Sequence, residues 1–204
     1  MQFDPNTTNF SNDVKTVLYN LKSVMDPNVR EFAVNDFVNT LLRFLGFGTY
    51  PYQIKSKHEN IVSMGRKRIS STSDFIITHK NRYVFEIIQK AIKVNDSNTK
   101  THDLQICKDM VISLAAHIER LNINEVLTPV VIRITGSSFI FYYSSIKVGC
   151  LNHVIEGALT VDDVINVNKW PSNINIKTTL NFADPNDRKM ILKILQNLCV
   201  AESA

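Results

Sequence analysis

Two acidic residues sit inside what read as adjacent β-strands, and they constrain the fold more than any other feature of the chain. Asp74 lies in Ser-Thr-Ser-Asp-Phe-Ile-Ile-Thr (71–78) and Glu86 in Tyr-Val-Phe-Glu-Ile-Ile-Gln-Lys (83–90). His79-Lys80-Asn81-Arg82 is the turn between them. The neighbours of both acids are β-branched or aromatic, the residue types that favour strands. A carboxylate in a buried strand is costly to ionise unless something compensates it. A divalent cation held between the two groups is one compensation. Strand ends that reach solvent are the other, since Asp and Glu are rarely fully buried unless paired.

The rest of the chain supplies a body for this hairpin. Its 204 residues suit one domain, and an apolar share of 44% supports a core. No long uninterrupted apolar run is present, so no membrane span is expected. Met-Gln-Phe-Asp-Pro-Asn-Thr-Thr at the start has neither a basic nor an apolar signal region. Cys107, Cys150 and Cys199 are odd in number and lack metal-type spacing, which reads as reduced thiols in an intracellular protein. The net charge of +4 permits an anionic partner without demanding one.

Residues 1–11 are polar and read as a flexible segment, followed by one domain over 12–204. Apolar spacing predicts helices over 12–25, with Val14, Val17, Leu18, Leu21 and Val24, and over 29–45, with Val34, Val38, Leu41, Leu42 and Leu45, ended by Gly46. Residues 50–78 read as several strands with polar connections, and the Glu86 strand follows at 82–89. A loop at 95–99 leads to a helix over 101–121 that is apolar on two sides. Leu127 to Thr135 and Phe139 to Tyr143 form a strand pair about Gly136-Ser137. Phe139, Phe141 and Tyr143 share one face, read as sheet core rather than as a base-stacking platform. Residues 146–182 carry weak signals, and Val161 to Val167 fits a short helix or a strand. Asp184-Pro185-Asn186-Asp187 predicts a final helix over 185–199. The sum is an α/β chain with a central mixed sheet flanked by helices.

The order helix, Asp-then-Glu hairpin, helix, strand resembles the core of the PD-(D/E)XK nuclease superfamily, a restriction-endonuclease-like core. The resemblance implies that Asp74 and Glu86 bind Mg2+ or Mn2+, and that a lysine two residues past the second acid serves the attacking water. A helix before the sheet would add a further acid. Ser73-Asp74 stands where the family has Pro-Asp. Glu31, in register with Val34, Val38, Leu41 and Leu45, is the candidate helix acid, and a first-turn acid complementing the helix dipole is the alternative. The chain also looks, more loosely, like fungal and Crinkler-type proteins with a nuclease-like domain. Leu-Leu-Arg-Phe-Leu-Gly-Phe-Gly (41–48), the hairpin and Thr-Gly-Ser-Ser-Phe-Ile-Phe-Tyr-Tyr (135–143) carry that likeness.

The chain departs from the family at the lysine. Two residues past Glu86 is Ile88, and Lys90 lies two further on, on the same strand face. A second alignment puts Lys90 in the lysine position and leaves Ile88 in place of the acid. Lys93 and Gln105 are further polar candidates. Lys55, Lys57, His58, Arg66, Lys67 and Arg68 form a basic stretch that would bind phosphates or, alternatively, protect a strand edge. The five histidines lack zinc spacing, and neither a P-loop nor a Gly-x-Ser-x-Gly elbow is present. Two functions are therefore expected of the resemblance: a metal-dependent endonuclease acting on DNA or RNA through Asp74, Glu86, Glu31 and Lys90, or an inactive nuclease fold that binds nucleic acid or a protein partner.

Overall fold

The computed structural model of the chain describes residues 10–26, 30–80, 82–90, 99–118, 125–172 and 177–200. Helix α1 (Asn12–Val24) opens on Ser11, whose hydroxyl accepts the Val14 N–H, and buries Val17, Leu21 and Val24. Helix α2 (Glu31–Phe44) buries Val34, Phe37, Val38, Leu41 and Leu42, and Gly46, at φ +90°, turns the chain out of it. The two helices form the layer that covers one face of the sheet.

The sheet begins with a long ribbon. Strands β1 (Tyr52–Met64) and β2 (Lys67–His79) each run 13 residues without interruption. The separate short strands expected over 50–78 are thus two continuous ones. The polar residues between apolar ones mark the solvent side of an alternating strand, and the single reversal falls at Gly65, at φ +57°. Strand β3 (Arg82–Lys90) completes the antiparallel meander. Helix α3 (Thr99–Ala115) then crosses to β5 (Val130–Thr135), which pairs parallel to β3. A helix is the usual crossover between parallel strands.

Helix α3 ends earlier than its sequence pattern predicts. Residues 116–118 leave the helix, although Ile118 remains buried, and 119–121 lie outside the described residues, as do 1–9 and 95–98 of the expected flexible segment and loop. The strand expected over 127–135 divides at Thr128-Pro129 into β4 (Val126–Leu127) and β5, because proline lacks the N–H a ladder needs. Strand β6 (Ser138–Ser144) returns antiparallel to β5. Strand β7 (Ile146–Lys147) pairs with β4, and helix α4 (Val148–Glu156) follows, ending at Gly157 in the left-handed region. Strands β8 (Val167–Trp170) and β9 (Leu180–Asn181) both pair with β6. Helix α5 (Pro185–Val200) starts where the sequence predicts, with the Asp184 carboxylate accepting the N–H groups of Asn186 and Asp187.

The main sheet runs β1-β2-β3-β5-β6-β8, with β9 also on β6. Alternation sends Phe85, Ile87, Ile132, Ile134, Phe139 and Phe141 to the face covered by α1, α2 and α5. Ile88, Val131, Ile140 and Tyr142 go to the opposite face, beneath Ile106, Met110 and Leu114 of α3 and Leu151 of α4. Phe139 and Phe141 are core, as their alternation predicts, whereas Tyr143 is 47% exposed. Cys107, Cys150 and Cys199 are not joined in disulfides. No helix among the described residues is long and apolar enough to cross a membrane.

Candidate functional site

Asp74 and Glu86 occupy neighbouring strands in quite different surroundings. Glu86 pairs with Ile76 across the β2–β3 ladder and points to the α3 face, fully buried. Its Oε2 accepts the Ser73 hydroxyl at 2.5 Å and the Ser113 hydroxyl, from α3, at 2.7 Å. Asn60 of β1 donates in turn to Ser113 Oγ at 2.9 Å. Oε1 is buried with no hydrogen-bond partner. Burial pushes the Glu86 carboxyl up to about 7, against the two serine hydroxyls, with Asp109 adding to the rise. Burial and the nearby Glu86 likewise raise the Tyr83 phenol.

Asp74 sits where the ribbon turns over. The β1–β2 ladder passes from Ser56↔Phe75 to His58↔Ser73, leaving Lys57 and Asp74 between the two pairs. Phe75 belongs to the α1/α2 core, whereas Ser73 reaches Glu86 on the α3 side. On β1, Ile54 packs on the first face and Asn60 reaches α3 on the second. Both strands therefore switch faces at one level. Lys57 takes φ +48°, a left-handed conformation uncommon for a side-chain-bearing residue and suited to such an irregularity. The β2–β3 ladder stops at the same level, at Phe75↔Ile87. Here the Asp74 carboxylate takes the place of a strand carbonyl and accepts the Gln89 N–H at 2.6 Å.

Asp74 is half-buried, and burial raises its carboxyl above the usual range. The Gln89 N–H opposes the rise, Glu31 adds to it, and Lys57 acts against it. Glu31 is exposed at the first position of α2 and is close enough to act on Asp74 electrostatically. The charges acting on Asp74 are thus Glu31 and Lys57, and the one acting on Glu86 is Asp109. Among the described residues no three His, Cys, Asp or Glu side chains are grouped so as to hold a metal ion. A Mg2+-type ion is held by one or two carboxylates with water and substrate oxygens. Glu86 could offer such an ion only Oε1, because Oε2 is held by two hydroxyl donors and the side chain is fully buried.

The register bears on the two alignments of the lysine. The β2–β3 ladder ends at Phe75↔Ile87, and beyond it Asp74 bonds the Gln89 backbone, next to Lys90. Lys90 closes β3, opposite Thr135 of β5, and its side chain lies outside what is described, as does Lys93. Gln105 is engaged with Asp109 at 2.8 Å. Ser73, Ser113 and Asn60, which set the state of Glu86, are not candidates from sequence. The available signal is a serine on an otherwise apolar side of α3, beside Ile112 and Leu114.

The basic stretch is spread along the ribbon rather than gathered into one patch. Lys57 lies at the face switch, with Lys55 and His58 half-buried beside it. Burial holds the His58 imidazole below its ordinary value, with Lys55 and His117 contributing. Arg66, Lys67 and Arg68 are exposed at the ribbon tip. The two groups are separated by roughly 26 Å at the usual strand rise. Strand β1 is the edge of the sheet, so the same charges also discourage edge-to-edge association. No protein-family model matches this chain, and a search of the curated proteins finds no significant match.

Proposed function

We propose that the chain is a nucleic-acid-binding module on a nuclease-type fold that does not itself hydrolyse phosphodiesters. One observation carries this reading: Glu86 is fully buried beneath α3, with Ser73 and Ser113 both donating to its Oε2. The order α2, β1–β2–β3, α3, β5, within one sheet, agrees with the superfamily resemblance. Phosphates would meet Lys57 at the base of the ribbon and Arg66, Lys67 and Arg68 at its tip. A separation of roughly 26 Å matches about eight steps of a duplex at 3.4 Å per step. Anisotropy titration with labelled 20-mer DNA and RNA tests the proposal. Affinity that falls steeply with salt is expected, with no cleavage in Mg2+ or Mn2+. Absence of binding at low salt would overturn it.

A metal-dependent endonuclease is the second reading, favoured by the approach of Glu31 to the raised Asp74 carboxyl. Those two acids would hold Mg2+ or Mn2+, which would supply an activated water. Calorimetry with Mn2+ on the wild type and on Asp74→Ala separates the readings. Heat seen only in the wild type, together with cleavage lost in the variant, selects the enzyme.

A further inference from the structure

The ribbon tip, α3 and α4 line an open cleft of about 560 Å³, away from the Asp74 level. That volume lies within the range of small-molecule sites. Its walls are apolar: Met64 and Ile69 from the ribbon, Leu104 and Val111 from α3, Val154 from α4 and Val167 from β8. Lys108 is the one charged residue among those lining it. Leu104 is 71% exposed on this wall, an unusual position for a large aliphatic side chain that covers nothing. Lys67 pairs with Met64 and is two residues from Ile69, so it stands on the same ribbon face as both lining residues, level with Met64. Neither Lys67 nor Lys108 has an acidic partner among the described residues.

We propose that this cleft binds an amphiphile with a long apolar chain and one carboxylate head, the chain lying along Met64, Ile69, Leu104 and Val111 and the head between Lys108 and Lys67. Charge complementarity selects the head group. Lys108 is the one charged residue on the lining and Lys67 stands beside Met64 at its rim, so the fitting head group is an anion. A volume of about 560 Å³ fits a single chain. Lys67 is shared with the nucleic-acid reading, whereas Lys108 and the apolar lining are not.

The test is displacement of 11-(dansylamino)undecanoate from the full chain by palmitate, by hexadecanol and by butyrate. Saturable one-to-one binding is expected, with palmitate displacing the probe and butyrate failing. In Val111→Trp, which fills the cleft, affinity should fall at least about tenfold. In Lys108→Met, palmitate should weaken by up to about fivefold, the scale of one exposed ion pair, while hexadecanol is unchanged. Trp170 fluorescence and near-ultraviolet dichroism confirm that each variant is folded. No binding of palmitate to the folded wild type, equal binding in Val111→Trp, or equal competition by hexadecanol and palmitate would each overturn the assignment. The first of these outcomes would leave the cleft to a peptide.

Discussion

The Asp74 carboxylate accepts the backbone N–H of Gln89, not of any residue beside Glu86. One carboxylate thereby closes the fork where β2 leaves β3. If the second acid of a cation site is what this fork lacks, supplying it should create one. Ile88→Glu is expected to bind Mn2+ by calorimetry where the wild type gives no heat, and Ile88→Glu with Asp74→Ala should lose it. Ile88 is only 7% exposed, so stability must be measured alongside.

Glu86 makes stability depend on pH. Burial raises its folded carboxyl from the ordinary 4.5 to about 7, so the folded state holds the proton more tightly than the unfolded state. The sign follows directly: stability is highest below about 4.5, falls as pH rises toward 7, and stays lower above it. The full span is on the order of 3 kcal/mol. Urea unfolding between pH 4 and pH 8 should show this decline in the wild type and a much flatter profile in Glu86→Gln. Equal slopes would mean that the carboxyl is not the group responsible.

Nucleic-acid binding should be carried by the ribbon tip. Replacing Arg66, Lys67 and Arg68 with glutamine is expected to reduce the slope of log affinity against log salt by up to about 2.7 on duplex DNA, at roughly 0.9 per phosphate contact. The loss should be similar across sequences, because phosphate contacts carry no base information. An unchanged slope would place the interface elsewhere.

The layer under α2 holds the fold. Phe37 is fully buried, with its ring at 5.3 Å from that of Phe182 and 6.5 Å from that of Phe139, edge to face. Phe37→Ala should cost about 3–5 kcal/mol in chemical unfolding. Phe32, on the same helix but 61% exposed, should tolerate alanine with a change within about 0.5 kcal/mol.

Much of the architecture is local information, and the sequence alone determines it. Apolar spacing places α1 and α2, Asp184-Pro185 starts α5, and alternation places β3, β5 and β6, because helix and strand periods are properties of neighbouring residues. Helix α4 had a usable signal in Val148, Leu151, Ile155 and a glycine stop at Gly157, although its nine residues are easily read as loop. The candidate site is different in kind. That two acids lie on adjacent strands is legible, but which residue stands beside each is not. That depends on the paired face switch at Lys57 and Asp74 and on where the β2–β3 ladder ends. Ser113, which joins Ser73 on Glu86, arrives from 27 residues further along the chain, and only the packing of α3 on the sheet brings it there. Tertiary structure therefore decided the state of the acids, because register and desolvation are set by partners that no local pattern names.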